Sequence, residues 1–272
     1  MIQNEFLIKI VHTSFFSAFK VGQFFLGIGR LNQTHRHDWP FSNAPLVFRR
    51  FFDPDGHGVI DTGGEIGTLL PLPFYLDLSI GVTNGWQFGH SHGGGDKPLF
   101  PTHYARLTHY SDIAWGGGLQ TGLNYLGRRD NQGEWTTLLG LDTVAKWREN
   151  KKLTFLLQNE LWYRNQNPRS GKLSKELGFY IYPQYGFNEN LYLGLRSDFF
   201  TKLSLEDASG NKVSNFTYAL VPTLSFLPSE FTRFTFSFVH EESRQAGEHL
   251  DTSSYFQVQG VLILGQHPAH DF

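Results

Sequence analysis

Apolar and polar side chains alternate with a period of two along most of this chain, and no other feature restricts its fold so strongly. In residues 74–82, FYLDLSIGV, Phe74, Leu76, Leu78, Ile80 and Val82 share one parity, while Asp77 and Ser79 occupy the other. Residues 152–164, KLTFLLQNELWYR, set Leu153, Phe155, Leu157 and Leu161 against Thr154, Gln158, Glu160 and Trp162. The pattern recurs in 191–199 and 233–240, and again in 255–265, where Phe256, Val258, Leu262 and Leu264 oppose Gln257 and Gln259. Successive side chains of a strand point to opposite faces, so each segment reads as a strand between two different environments. Helical periodicity is hard to find from residue 18 onward.

The connections alternate as well. Short turn signals stand at LPLP (70–73), RENK (148–151), FNEN (187–190) and LPSE (227–230). Longer polar stretches fall near 31–61, 83–102, 165–173, 202–213 and 243–252. Tight turns at one end and loops at the other describe an all-β, up-and-down antiparallel meander of about twelve strands. A soluble sandwich or lipocalin-like barrel has the same parity turned inside out. A closed barrel that wide has no interior small enough for its many Phe and Leu side chains to fill, so the apolar face is expected to meet lipid. The other face then carries Glu65, Asp77, Arg106, Asp142, Glu160, Arg196 and Asp198, the expected lining of a lumen. Phe74, Tyr75, Trp147, Tyr185, Phe187, Phe226 and Phe231 fall near strand ends, where a membrane barrel keeps its aromatic girdles.

Composition supports the choice. Mean hydropathy is -0.31, and no stretch approaches the ~18 apolar residues of a helical span, whereas half of each barrel strand is polar. A net charge of -2 argues against nucleic-acid binding, and the lack of Cys excludes disulfides and thiolate metal sites. Residues 1–17 resemble no secretory signal and show no convincing partner strand, so they read as an atypical, truncated or mis-assigned start. Residues 18–265 form the expected barrel and 266–272 a periplasmic tail.

Twelve histidines cluster more than chance spacing requires. His35 and His37 lie in THRHDW, and His90 and His92 in GHSHGGG. A His-x-His pair on an extended loop presents two imidazoles together, a pattern suited to Zn2+, against the plainer reading of solvated loop histidines. DPDGHGVID (53–61) places Asp53, Asp55 and His57 at the first, third and fifth positions of a calcium-like loop, although His57 replaces an oxygen ligand and Glu65 comes one residue late. Ca2+ is therefore the weaker expectation. Ser91 between His90 and His92, and His240, Glu241 and Ser243 in VHEES, lack an orienting third group, so a hydrolase is disfavoured.

Spread over the chain, KVGQFFLGIGRLNQTHRHDWPF, PLPFYLDLSIGVTNGWQFGHSHG, FPTHYARL, GGLQTGLNYLGR, TTLLGLDTVAKWR, YPQYGFNENLYLGLR and ILGQHPAHDF resemble the C-terminal barrel portion of bacterial outer-membrane proteins described as zinc-regulated TonB-dependent receptors or porin-like proteins. The resemblance covers roughly residues 18–272. It implies an outer-membrane barrel with a link to zinc supply, in which His35, His37, His90 and His92 are the matching positions that could serve metal. The expectation is a non-enzymatic pore or uptake channel for small solutes or metal ions, narrowed by the loop at 31–61 folding inward. The rival is a closed barrel whose loops capture metal. Expected partners are outer-membrane lipid and the barrel-assembly machinery, for which Phe272 is read by analogy as the C-terminal signal. His267 and His270 belong to the opposite, periplasmic rim.

Overall fold

The computed structural model describes residues 6–12, 17–53, 55–85, 99–150, 152–167, 173–206 and 210–263. The strands are β1 (Phe6–His12), β2 (Ser17–Phe25), β3 (Ile60–Leu69), β4 (Leu76–Thr83), β5 (Thr102–Ile113), β6 (Gly117–Arg129), β7 (Trp135–Glu149), β8 (Lys152–Asn167), β9 (Ser174–Gly186), β10 (Leu191–Lys202), β11 (Asn215–Ser229), β12 (Thr232–Gln245) and β13 (Glu248–Leu262). All thirteen belong to one sheet, in chain order. Every neighbouring pair is antiparallel, as in the register Asp142↔Glu160 between β7 and β8 and Arg196↔Val221 between β10 and β11. One short α-helix, α1 (Leu46–Phe51), lies in the connection between β2 and β3, after two single 3-10 turns at Leu31–Gln33 and Arg36–Asp38. No described helix is long and apolar enough to cross a membrane.

The twelve strands β2–β13 match the meander expected from the alternation. β1 adds one within the segment where no partner strand was evident, pairing Phe6–His12 with β2. Among the described residues no ladder joins β1 to β13; the sheet curls around residues 26–59 instead, which touch strands from β3 to β13.

Side-chain sidedness is that of a membrane barrel. Phe19, Ile80, Leu123, Leu139, Leu161, Leu195, Leu224 and Phe236 are exposed on the outside. Glu65, Arg106, Asp142, Glu160, Arg196 and Asp198 are buried within. Such an arrangement suits lipid outside and polar contacts inside. Rims of aromatic rings flank the apolar band. At the tight-turn end Phe74 packs edge-on to His109, with centroids 5.8 Å apart, and Tyr185 packs on Phe187 at 5.1 Å. At the other end His103 lies 5.5 Å from Trp135 and 5.6 Å from Tyr125.

One expected loop is absent. The polar stretch 243–252 is not a loop but a tight hairpin, with β12 running to Gln245 and β13 starting at Glu248. Ala246 (φ 53°) and Gly247 (φ 83°) both take left-handed backbone, which matches the twist of a two-residue hairpin turn. A bulge between Ser243 and Arg244 absorbs the change of register. Polarity alone made this segment look like a loop, although the paired strands there are polar on both faces.

Candidate functional site

The connection from β2 to β3 folds into the barrel, as its length suggested. Its neck is tied by the Leu26 amide donating to the Val59 carbonyl at 3.1 Å. The buried Asn32 side chain staples the same point, donating to Leu26 O (2.8 Å) and Val59 O (3.2 Å) and accepting from Val59 N–H (2.6 Å). Beyond the neck the chain meets the β5–β8 wall at Gly29. There φ is +60°, and a Cβ would stand 2.7 Å from Glu160 Oε2 and 3.0 Å from the Trp162 ring. Only glycine accepts that backbone and that approach without strain.

The lumen wall grips this turn with charge. Glu160 Oε1 accepts the Leu31 and Arg30 amides at 2.7 and 3.2 Å, while Trp162 Nε1 donates to its other oxygen at 2.9 Å. Arg106 donates to Gly29 O at 3.0 Å and pairs with Asp142 at 2.7 Å. Asn124 bridges, accepting from Gly29 N–H at 2.8 Å and donating to Asp142 at 2.7 Å. Burial, and then repulsion from Arg106, push the pKa of Arg30 below the ordinary arginine value.

A second anchor lies across the lumen. Arg196 Nε pairs with Asp198 at 2.8 Å, its Nη1 donates to Asn43 O, and its guanidinium stacks over the Phe41 ring at 4.6 Å. Asp198 Oδ2 accepts the Leu46 amide at 3.1 Å, at the start of α1. Tyr182 donates to Pro40 O at 3.1 Å, and Ser42 Oγ lies within hydrogen-bond distance of both Ser237 Oγ (3.0 Å) and Gln257 Oε1 (3.3 Å). Hydrogen bonds to buried charges contribute roughly 1.5–3 kcal/mol each, and an abandoned buried charge costs more. Between the anchors, Trp39, Phe41, Val47, Phe48, Phe51 and Phe52 form an apolar core against wall residues Tyr104, Leu138, Trp162, Tyr180, Tyr182 and Phe200. Near the long-loop end, a cavity of about 290 Å³ remains between α1 and the β6–β8 wall.

All seven residues read as a lumen lining lie on the inner face. Six are buried, and Asp77, which accepts from Ser79 at 3.4 Å, is half-buried. Glu160, Arg106, Arg196 and Asp198 contact the inserted loop directly, Asp142 through Arg106 and Asn124, while Glu65 pairs with Lys20 at 2.7 Å and accepts from Tyr104 at 2.7 Å. The six buried ones therefore face packed chain rather than open water. The apolar packing of residues 39–52 was missed because WPFSNAPLVFRRFF has neither strand nor helix periodicity over a useful length. Its one signal was an aromatic density unusual for an exposed loop.

The metal candidates do not converge among the described residues. His35 and His37 stack with ring centroids 5.4 Å apart, and Arg233, one residue into β12 from its tight turn, donates to His37 O. The His35 ring also packs edge-on to Phe25, the last residue of β2, with centroids 5.5 Å apart. Asp53 is buried, and its carboxylate accepts the Asp55 and His57 amides, so it organises its own turn. Among the described residues no three His, Asp or Glu side chains are placed together to hold a metal ion. His90, His92, His267, His270 and Phe272 lie outside the described residues.

A wide antiparallel barrel with an apolar exterior, aromatic rims and a polar lumen crossed by an inserted loop defines an outer-membrane barrel of the porin type. The family comparison is consistent with this. Residues 73–263 match the BBP2 family, described as beta-barrel porin-2, OmpL-like, and the chain belongs to that family. Its place is the bacterial outer membrane. An uncharacterized protein of Aquifex aeolicus (strain VF5) is 27% identical over 283 residues, covering 93% of this chain. The chain spans 60% of the length of that relative. Among solved structures, outer-membrane-expressed OmpT of Vibrio cholerae superposes with a TM-score of 0.62 at 8% identity, covering 95% of this chain and 80% of the other. An anion-selective porin from Comamonas acidovorans gives 0.58 at 12%, covering 90% and 74%. The channel DcaP of Acinetobacter baumannii gives 0.54 at 13%, covering 88% and 68%. At such identities these share the fold. None of these is described as a TonB-dependent receptor, so the porin side of the resemblance is the side they support.

Proposed function

We propose that this protein is a non-catalytic, restricted outer-membrane channel, in which residues 26–59 set what small solutes pass. The observation that carries the reading is the two-sided anchoring of that loop, by Glu160 and Arg106 on one wall and by Arg196 and Asp198 on the other. A loop fixed at both ends leaves only narrow routes, and membership of a porin family supports passage as its purpose. The rival reading, a closed barrel, draws on the complete burial of Arg196, Tyr180 and Tyr182 around the loop.

Planar-bilayer conductance separates the two. The intact protein is expected to give small, stable ion steps. Replacing residues 33–52 with a short glycine-serine link is expected to raise the step size severalfold. Silence from a folded, heat-modifiable intact protein, with steps only after the replacement, favours the closed barrel.

A further inference from the structure

We propose that the cavity above α1 is a binding site for a small anionic solute bearing a carboxylate or phosphate, at the outer mouth of the lumen. Its purpose rests on the channel reading, but the binding itself does not require conduction. The cavity, about 290 Å³, lies between Arg49–Phe52 of the inserted loop and the long-loop ends of β6, β7 and β8. Four arginines line it, Arg49, Arg50, Arg128 and Arg164, against two carboxylates, Asp130 and Glu134.

The arginines are not equivalent. Arg49 pairs with Glu241 at 2.6 Å, and Arg164 pairs with Glu176; neither acid is part of the lining. With those two acids counted the charges balance, so the attraction for an anion is local. It centres on Arg50. No described carboxylate pairs with Arg50, which is exposed and stacks over Phe200 at 5.6 Å. A guanidinium in that state keeps its forked donors for a carboxylate or phosphate.

The surrounding groups favour a fixed site. Arg164 donates to Arg50 O at 3.0 Å and stacks over Phe51 at 4.7 Å, so α1 is held to the wall. Phe51 and Phe52 are buried and form the apolar floor of the cavity. Asp130 spends its Oδ1 on the amides of Gln132 and Glu134, at 3.0 and 2.8 Å, which holds the β6–β7 turn shut. Both acids oppose an incoming anion, and Glu134 is the one whose carboxylate does not hold the turn.

The test uses the folded full chain in detergent at low ionic strength, titrated with inorganic phosphate and separately with succinate in a calorimeter. Saturable binding of at least one is expected, fading as salt is added. Arg50→Gln is expected to weaken it about tenfold, the scale of one charge-assisted hydrogen bond. Glu134→Gln is expected to tighten it, an effect that general damage to the fold does not produce. No saturable binding of either probe, or unchanged affinity in Arg50→Gln, overturns the proposal. If Arg50→Gln fails to fold, unchanged or weaker binding in Glu134→Gln overturns it. Phosphate binding without conductance removes the channel reading and leaves this site standing.

Discussion

At the scale of residues, the barrel interior is governed by charges that hold loop backbone groups far away in sequence. Asp198 holds both Arg196 and the Leu46 amide. Asp198→Asn keeps the shape but leaves the fully buried Arg196 with no carboxylate, and breaking a buried pair from one side costs about 3–5 kcal/mol. Chemical unfolding followed by tryptophan fluorescence is therefore expected to show a markedly lower midpoint. The double replacement Arg196→Met with Asp198→Leu, which removes both charges, should recover much of the loss. A single variant as stable as the parent removes the anchor from the account. The alternation in LGLRSDFF was enough to place Arg196 and Asp198 on the inner face. It carried no information about what they hold, because Asn43 and Leu46 present backbone groups, and any residue has those.

At the scale of elements, parity decides which substitutions the membrane tolerates. Phe236 is exposed on the outer face of β12, and an arginine near the midplane there costs ~2–4 kcal/mol. Phe236→Arg is expected to reduce the folded fraction seen by gel mobility, whereas Ser253→Arg, on an exposed inner position of β13, should leave it unchanged. Equal damage from the two contradicts the assigned faces. The inner face is not uniformly permissive. Gln158 is buried and donates to Tyr180 at 2.7 Å, so a bulky charge has no room there, although alternation alone makes it look like open lumen. Strand faces were legible because lipid imposes them on every second residue. The Ala246–Gly247 hairpin was less so, since its flanking strands rise beyond the apolar band and lose the contrast that reveals a strand.

At the scale of the whole molecule, a sheet in strict chain order wraps a loop that obeys a different logic. Each strand needs only its sequence neighbours, so the wall consists of local contacts. The inserted loop reaches across separations of 95 residues at Gly29–Asn124, 152 at Leu46–Asp198 and 215 at Ser42–Gln257. None of these bonds can form until β6, β10 and β13 are in place to receive them. Contacts so distant carry a large closure entropy and form slowly. Assembly should then run in two kinetic stages, in which the wall reaches its compact gel mobility first and the surroundings of Trp39 and Trp162, which lie in the loop core, settle afterwards. Stopped-flow fluorescence beside timed gel sampling reads both clocks. In the interval the membrane would hold an unobstructed tube, so a newly inserted molecule passes through its most permeable state before it reaches its finished one.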